Sequence, residues 1–268
     1  MKETYFISGL PRSGSTLLSD LLAQNPDFYC SPTSGVRDMC ELVKNNWNGN
    51  EHFKASFDID GVNEMIKGIF HGYYSVYEEP VIFDKNRGWT GAIGLANLIS
   101  HEKEAKIRCT VRDLTDIIAS LEKMNRRHSH NFMLPQEKAN QQQSRILDGR
   151  CEGWVSADGI IGGPYSGLLE AFKIGKANQL LLVEYDELCL KPEETLKKIY
   201  KFIDKPFYKD HYYEGVKRSS HEYEMSRGFP DDLHEVRPKV EFKKSDAINV
   251  LGKELFDKYS NSEFWRQK

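Results

Sequence analysis

A chain of 268 residues, 39% hydrophobic and 29% charged, is long enough for one large domain with a sizeable core. Its net charge of -3 lacks the basic excess that polyanion binding requires, so no nucleic-acid partner is expected. No run reaches the roughly 18 apolar residues of a membrane helix, no secretory apolar segment precedes the first strand-like run, and Cys30, Cys40, Cys109, Cys151 and Cys189 form no CxxC pair, so a reduced cytoplasmic protein without disulfides or zinc is expected.

In chain order, the first predicted element is a strand over 4–8, mostly apolar or β-branched, as strands buried on both faces tend to be. It runs into Gly9-Leu10-Pro11-Arg12-Ser13-Gly14-Ser15-Thr16. Leu17, Leu18, Leu21 and Leu22 then set the apolar stripe of a helix that stops at Asn25-Pro26. A glycine-bearing turn between strand and helix aims backbone N–H groups and a helix N-terminus at one point, which makes an anion site. Ser13, Ser15 and Thr16 add hydroxyl donors and Arg12 adds a cation. A plain turn with a capping serine would account for fewer of these residues. The spacing mimics the triphosphate-binding pattern G-x4-G-K-[ST], but Ser15 stands in the lysine's place, which speaks against kinase or nucleoside-triphosphatase chemistry.

A short strand over 28–30 follows, then a weakly periodic stretch, 45–62, rich in Asn, Gly and His. The third strand, 81–84, ends on Asp84-Lys85-Asn86-Arg87. The fourth, 106–111, ends on Arg112-Asp113, and Leu114, Ile117, Ile118 and Leu121 stripe the next helix. Ser120 lies eight residues beyond Arg112, and a helix of that length rises ~12 Å, a gap that an arginine folded along it largely covers. Guanidinium plus hydroxyl suits a phosphate dianion; Arg112 alone would as readily pair with Asp113 or Asp116. Residues 125–165 are again polar and weakly periodic. With 45–62 they are expected as surface insertions lining an acceptor cleft, solvated loops being the alternative. His128-Ser129-His130 lacks a third ligand and reads as a polar helix end. Tyr165, Leu168, Leu169 and Phe172 mark another helix, and the fifth strand, 180–184, runs into Tyr185-Asp186-Glu187-Leu188. Leu196, Ile199, Tyr200 and Ile203 give a last stripe after Pro192 at the first helical position. Strands alternating with helices predict a three-layer α/β/α fold with a central, mainly parallel sheet of about five strands, in a single domain over 1–268.

These motifs resemble those of the sulfotransferase superfamily that uses 3'-phosphoadenosine-5'-phosphosulfate (PAPS), over residues 4 to about 207. The family's 5'-phosphosulfate loop reads approximately [KR]-S-G-[ST]-[ST], which Arg12, Ser13, Gly14, Ser15 and Thr16 fill. The form around it most resembles that of the tyrosylprotein sulfotransferases. The family's 3'-phosphate motif, a strand-end arginine followed at the same interval by serine, falls on Arg112 and Ser120. Its Tyr-Glu-x-Leu…Pro segment falls on Tyr185, Leu188 and Pro192, making Tyr185 either an adenine neighbour or a core tyrosine. A basic C-terminal loop falls on 234–239, where Arg237 or Lys239 closes over the 3'-phosphate. The family's catalytic lysine falls on Lys85, at the carboxyl edge where doubly wound sheets bind ligands; a solvated cluster of Asp84, Lys85 and Arg87 is the alternative.

The resemblance implies a P-loop type of fold, transfer of a sulfuryl group from PAPS to an acceptor hydroxyl, release of PAP, and no metal. Lys85 and Arg12 would supply positive charge in the transition state. For the proton acceptor the chain departs from its relatives: Arg87 stands where cytosolic relatives place a histidine, and Thr33 where tyrosylprotein relatives place a glutamate. Asp84, the carboxylate nearest Lys85 in sequence, is the candidate base, although strand alternation would turn the two apart. Asp38, Glu41 and His52 stay open. Rival functions are a nucleotide or small-molecule kinase and a non-catalytic nucleotide-binding module. Acceptor and oligomeric state are not legible.

Overall fold

A computed structural model of the protein describes residues 2–56, 58–100, 104–128, 145–217 and 239–267. Strands β1 (Glu3–Gly9), β2 (Phe28–Cys30), β3 (Val81–Lys85), β4 (Ile107–Val111) and β5 (Leu180–Glu184) form one parallel sheet in the order β2-β3-β1-β4-β5. The helices are α1 (Ser15–Leu22), α2 (Val36–Asn46), α3 (Glu51–Ser56), α4 (Ile59–Tyr73), α5 (Ile93–Ile99), α6 (Leu114–His128), α7 (Leu147–Val155), α8 (Gly162–Lys173), α9 (Tyr185–Leu190), α10 (Pro192–Phe202), α11 (Ala247–Leu251) and α12 (Lys253–Tyr259).

Alternation along the strands builds the three layers. Tyr5, Ile7, Val81, Phe83 and Val183 pack with α1 and α10 on one face. Phe6, Ile82, Ile107, Cys109 and Val111 pack with α2, α4, α5 and Trp89 on the other. Strands covered on both sides have no solvent face, which is why they read as unbroken apolar runs. The stripe of α10 shows why local pattern decides the element. Leu196, Ile199, Tyr200 and Ile203 are all buried. At ~1.5–3 kcal/mol for each large apolar side chain removed from water, they outweigh the few tenths per residue of helix propensity. A third cluster joins Leu10 to Leu114, Ile117, Ile118 and Leu121 of α6, with Trp154 of α7 and Leu251 of α11.

The described parts of the weakly periodic stretches contain helices. Asp58 caps α4 by accepting from the Gly61 N–H at 2.7 Å, and α7 carries Cys151 and Trp154 into the core. Residues 129–144, with His130, and 218–238, with Arg237, lie outside the described residues. All five cysteines are buried and none of them forms a disulfide. No helix among the described residues is long and apolar enough to cross a membrane.

This order places β1 at the centre. The chain leaves β1 for β2 on one side, returns through β3, and crosses to β4 on the other. The carboxyl end of β1 is therefore the point where the winding reverses, the usual crevice for ligands in such sheets.

Candidate active site

The β1–α1 loop occupies that crevice, and its shape follows from its glycines. Gly9 has φ +133, and a Cβ there would stand 2.3 Å from the Thr110 carbonyl oxygen. Gly14 has φ +88, and a Cβ there would approach the Tyr185 ring at 2.9 Å. Arg12 between them adopts φ 57, a left-handed conformation costing on the order of 1–3 kcal/mol for such a residue. Anchors inside the loop offset that cost. Leu10 N–H donates to the Thr110 carbonyl at 2.9 Å. Ser13 Oγ lies 2.5 Å from the Leu10 carbonyl oxygen and 2.7 Å from Thr110 Oγ1. Ser13 is fully buried, and its hydroxyl is taken up inside the loop, which it shapes. No side chain caps α1 at Gly14 and its first turn holds no acid, which leaves the positive helix end uncovered.

Lys85 reaches the same loop from β3. Its ammonium donates to Thr16 Oγ1 at 3.0 Å, and its N–H donates to Ser31 Oγ at 2.7 Å. The side chain is buried, so the charge is directed into the crevice and away from bulk water.

From the other flank, Arg12 Nε donates to Ser120 Oγ at 3.1 Å, joining loop to α6. Arg112 at the end of β4 donates to the Arg12 carbonyl at 3.3 Å and pairs with Asp116 at 3.2 Å. Its guanidinium carbon stands 4.2 Å from the centroid of the Tyr185 ring. Arg112 Nε is buried with no acceptor. Arg12, Ser13, Gly14, Ser15, Thr16, Lys85, Arg112, Ser120 and Tyr185 are thus brought to one sheet edge. Lys239 is not: it pairs with Glu214 at 2.6 Å, in an isolated bridge between those residues.

Asp84 is not brought there either. Because β3 continues through Lys85, alternation turns Asp84 to the opposite face. Its carboxylate is fully buried, where it accepts from Tyr74 Oη and from Trp89 Nε1, the latter at 2.6 Å. Desolvation pushes its pKa up, opposed by hydrogen bonds from Ser34, Tyr74 and Trp89. The solvent-facing carboxylate tied to the end of β3 is Asp38, in the first turn of α2. Asn86 Nδ2 donates to Asp38 at 3.3 Å and to the Ser34 carbonyl at 2.8 Å, and Arg37 donates to Asp38 at 2.7 Å. Glu41 is held by Arg37 at 2.8 Å, and His52 is exposed on α3. Sequence reasoning missed the supporting roles of Ser31, Asn86 and Thr110. For Thr110 a signal existed: a polar residue inside an apolar strand, two positions before Arg112 on the same face.

A model described as the sulfotransferase family matches residues 5–210. No curated protein matches the sequence. Among solved structures, the chain is similar to the sulfotransferase domain from the Synechococcus PCC 7002 olefin synthase, with TM-score 0.53, 19% identity and 96% of each chain covered. It is also similar to a sulfotransferase from Alicyclobacillus acidocaldarius, with TM-score 0.51, 14% identity, and 97% of this chain and 92% of that one covered. At such identities the likeness is one of fold.

Proposed function

Since the chain belongs to the sulfotransferase family, we propose that it moves a sulfuryl group from PAPS to an acceptor hydroxyl and releases PAP, acting as one domain over 1–268. The observation that carries this reading is the convergence, on one sheet edge, of an uncapped helix N-terminus with Lys85, Arg12 and Arg112. A kinase loop carries its phosphate-binding lysine at the place of Ser15. Here β3 delivers the cation instead, from the opposite wall.

The residues present fit the donor. Loop N–H groups and the hydroxyls of Ser15 and Thr16 would take the 5'-phosphosulfate, as helix N-termini do with anions. Arg112, whose buried Nε lacks an acceptor, would take the 3'-phosphate together with Ser120, and Tyr185 would pack against the purine. Arg237, on the basic stretch 234–239, remains a further candidate for that phosphate. In the transfer, the acceptor oxygen bonds to sulfur, the bond from sulfur to the phosphate oxygen breaks, and its electron pair stays on PAP. Lys85 and Arg12 would answer that charge, and preorganised donors there lower the barrier most. The hydroxyl proton needs an acceptor, and Asp38 suits the role better than the inward-facing Asp84. No step requires a metal. Five cysteines outside any disulfide suit a reducing compartment, the cytoplasm.

Calorimetric titration with PAP, ATP and GTP tests the reading. PAP is expected to bind at least about tenfold more tightly than either triphosphate. Tight ATP binding with weak PAP binding would overturn it in favour of a kinase.

A further inference from the structure

The two residues on the 3'-phosphate side leave the sheet side by side, because Val111 of β4 is in register with Glu184 of β5. Arg112 follows the first and Tyr185 the second. This corner is acidic for a phosphate site: Asp113, Asp116, Glu184 and Asp186 neighbour Arg112 in the chain or across the strand register, and Asp116 pairs with it. Desolvation raises the pKa of Asp186, and the charge of Asp113 is the next cause.

Residues 262–266 close over the corner. Tyr165 Oη donates to the Ser262 carbonyl at 2.6 Å, and Phe264 meets the Tyr165 ring edge-on at 5.4 Å. Glu263 accepts the Leu114 N–H at 2.9 Å at the start of α6. So anchored, Arg266 donates from Nε and Nη2 to Glu184 at 2.9 and 2.7 Å, and from Nη1 to Asp113 at 2.6 Å. Trp265 Nε1 adds a bond to Glu184 at 3.1 Å. One guanidinium therefore spans the carboxylates that neighbour Tyr185 and Arg112 in the chain.

We infer that Arg266 is a positioning residue for the donor's 3'-phosphate, acting through Glu184 and Asp113 and not by touching the nucleotide. The inference rests on the donor reading above. With Arg266 neutralised, two full negative charges border the phosphate site and oppose a dianion over a distance that salt only partly screens. With Arg266 charged, they are paired, and the bidentate geometry also fixes the strand ends that carry Arg112 and Tyr185.

Calorimetry with PAP and 5'-AMP, which differ in the 3'-phosphate, separates this role from a merely structural one. For Arg266→Gln, PAP affinity is expected to fall about tenfold, with AMP affinity nearly unchanged and the loss shrinking as salt is raised. Arg266→Lys should recover most of the loss. Asp113→Asn, which removes a charge of the opposite sign, should raise PAP affinity a few-fold, and it decides the matter if Arg266→Gln does not fold. Equal losses for PAP and AMP in Arg266→Gln, or weaker PAP binding in Asp113→Asn, would overturn the inference. If the wild-type protein itself binds PAP and AMP alike, it is the donor reading that fails.

Discussion

The Lys85 ammonium stands 3.0 Å from the Thr16 hydroxyl, an approach set by the register that lays Lys85 beside Ile7 of β1. Strand β1 leads directly into the loop and β3 ends on Lys85, so the parallel pairing itself brings the cation to the start of α1. If that cation stabilises charge on the departing phosphate, Lys85→Ala should lower turnover ~10²–10³-fold while changing PAP affinity much less. Steady-state rates and calorimetry on the same variant check this. An unchanged rate would leave Arg12 as the principal cation.

The two carboxylates near the end of β3 are expected to behave oppositely. Asp38→Asn should reduce turnover by ~10²-fold or more, the usual contribution of a general base. Asp84→Asn should keep most activity and instead lose about 1–3 kcal/mol of stability, because an amide offers only one acceptor oxygen to the Tyr74 and Trp89 donors. Paired rate and denaturation measurements distinguish the two. Loss of activity in the Asp84 variant without loss of stability would return the base to Asp84.

His211 gives the fold a pH dependence away from the site. Its ring packs between Tyr200 Oη, 2.9 Å from Nε2, and Gln24 Oε1, 3.3 Å from Nδ1. Burial draws its pKa from 6.5 down to about 4. The folded protein thus resists protonating a group that the unfolded chain protonates readily, so its contribution is present above about 6.5 and is lost as pH falls toward 4. Melting temperatures of wild type and His211→Asn should converge as pH drops through that window. Parallel curves would contradict the assignment.

Gly9→Ala tests the loop's construction. Both the positive φ and the 2.3 Å approach to the Thr110 carbonyl forbid a Cβ, so at least ~2 kcal/mol of stability should be lost. Chemical denaturation reads this directly. A variant as stable as wild type would mean the loop adopts another path.

Much of this was legible in the sequence because it depends on local pattern. The five strands and the stripes of α1, α6 and α10 stand where short apolar runs and helical spacing placed them. The β1–α1 loop could be read because its glycines and hydroxyls fall within one short stretch, Gly9 to Thr16. In α4, Val62, Ile66 and Phe70 are buried at helical spacing, a pattern overlooked beside the Asn- and Gly-rich stretch before it. What was not legible depends on register. Whether Asp84 or Lys85 faces the loop turns on β3 continuing one residue further, and Asn86 meets Asp38 only once α2 is folded against the strand end. The clasp of Arg266 on Glu184 and Asp113 joins residues 82 and 153 positions apart, which no spacing announces.

The central claim is that a donor bearing a 3'-phosphate sits across Arg112 and the β1–α1 loop. Thermal melts with PAP and with 5'-AMP, on wild type and on Arg112→Ala, test it most directly. At a hundredfold excess over its Kd, PAP should stabilise wild type by about 2.7 kcal/mol, with a markedly smaller shift from AMP and a PAP shift in Arg112→Ala reduced to that of AMP. Equal shifts from PAP and AMP in wild type, or an undiminished PAP shift in Arg112→Ala, would contradict it.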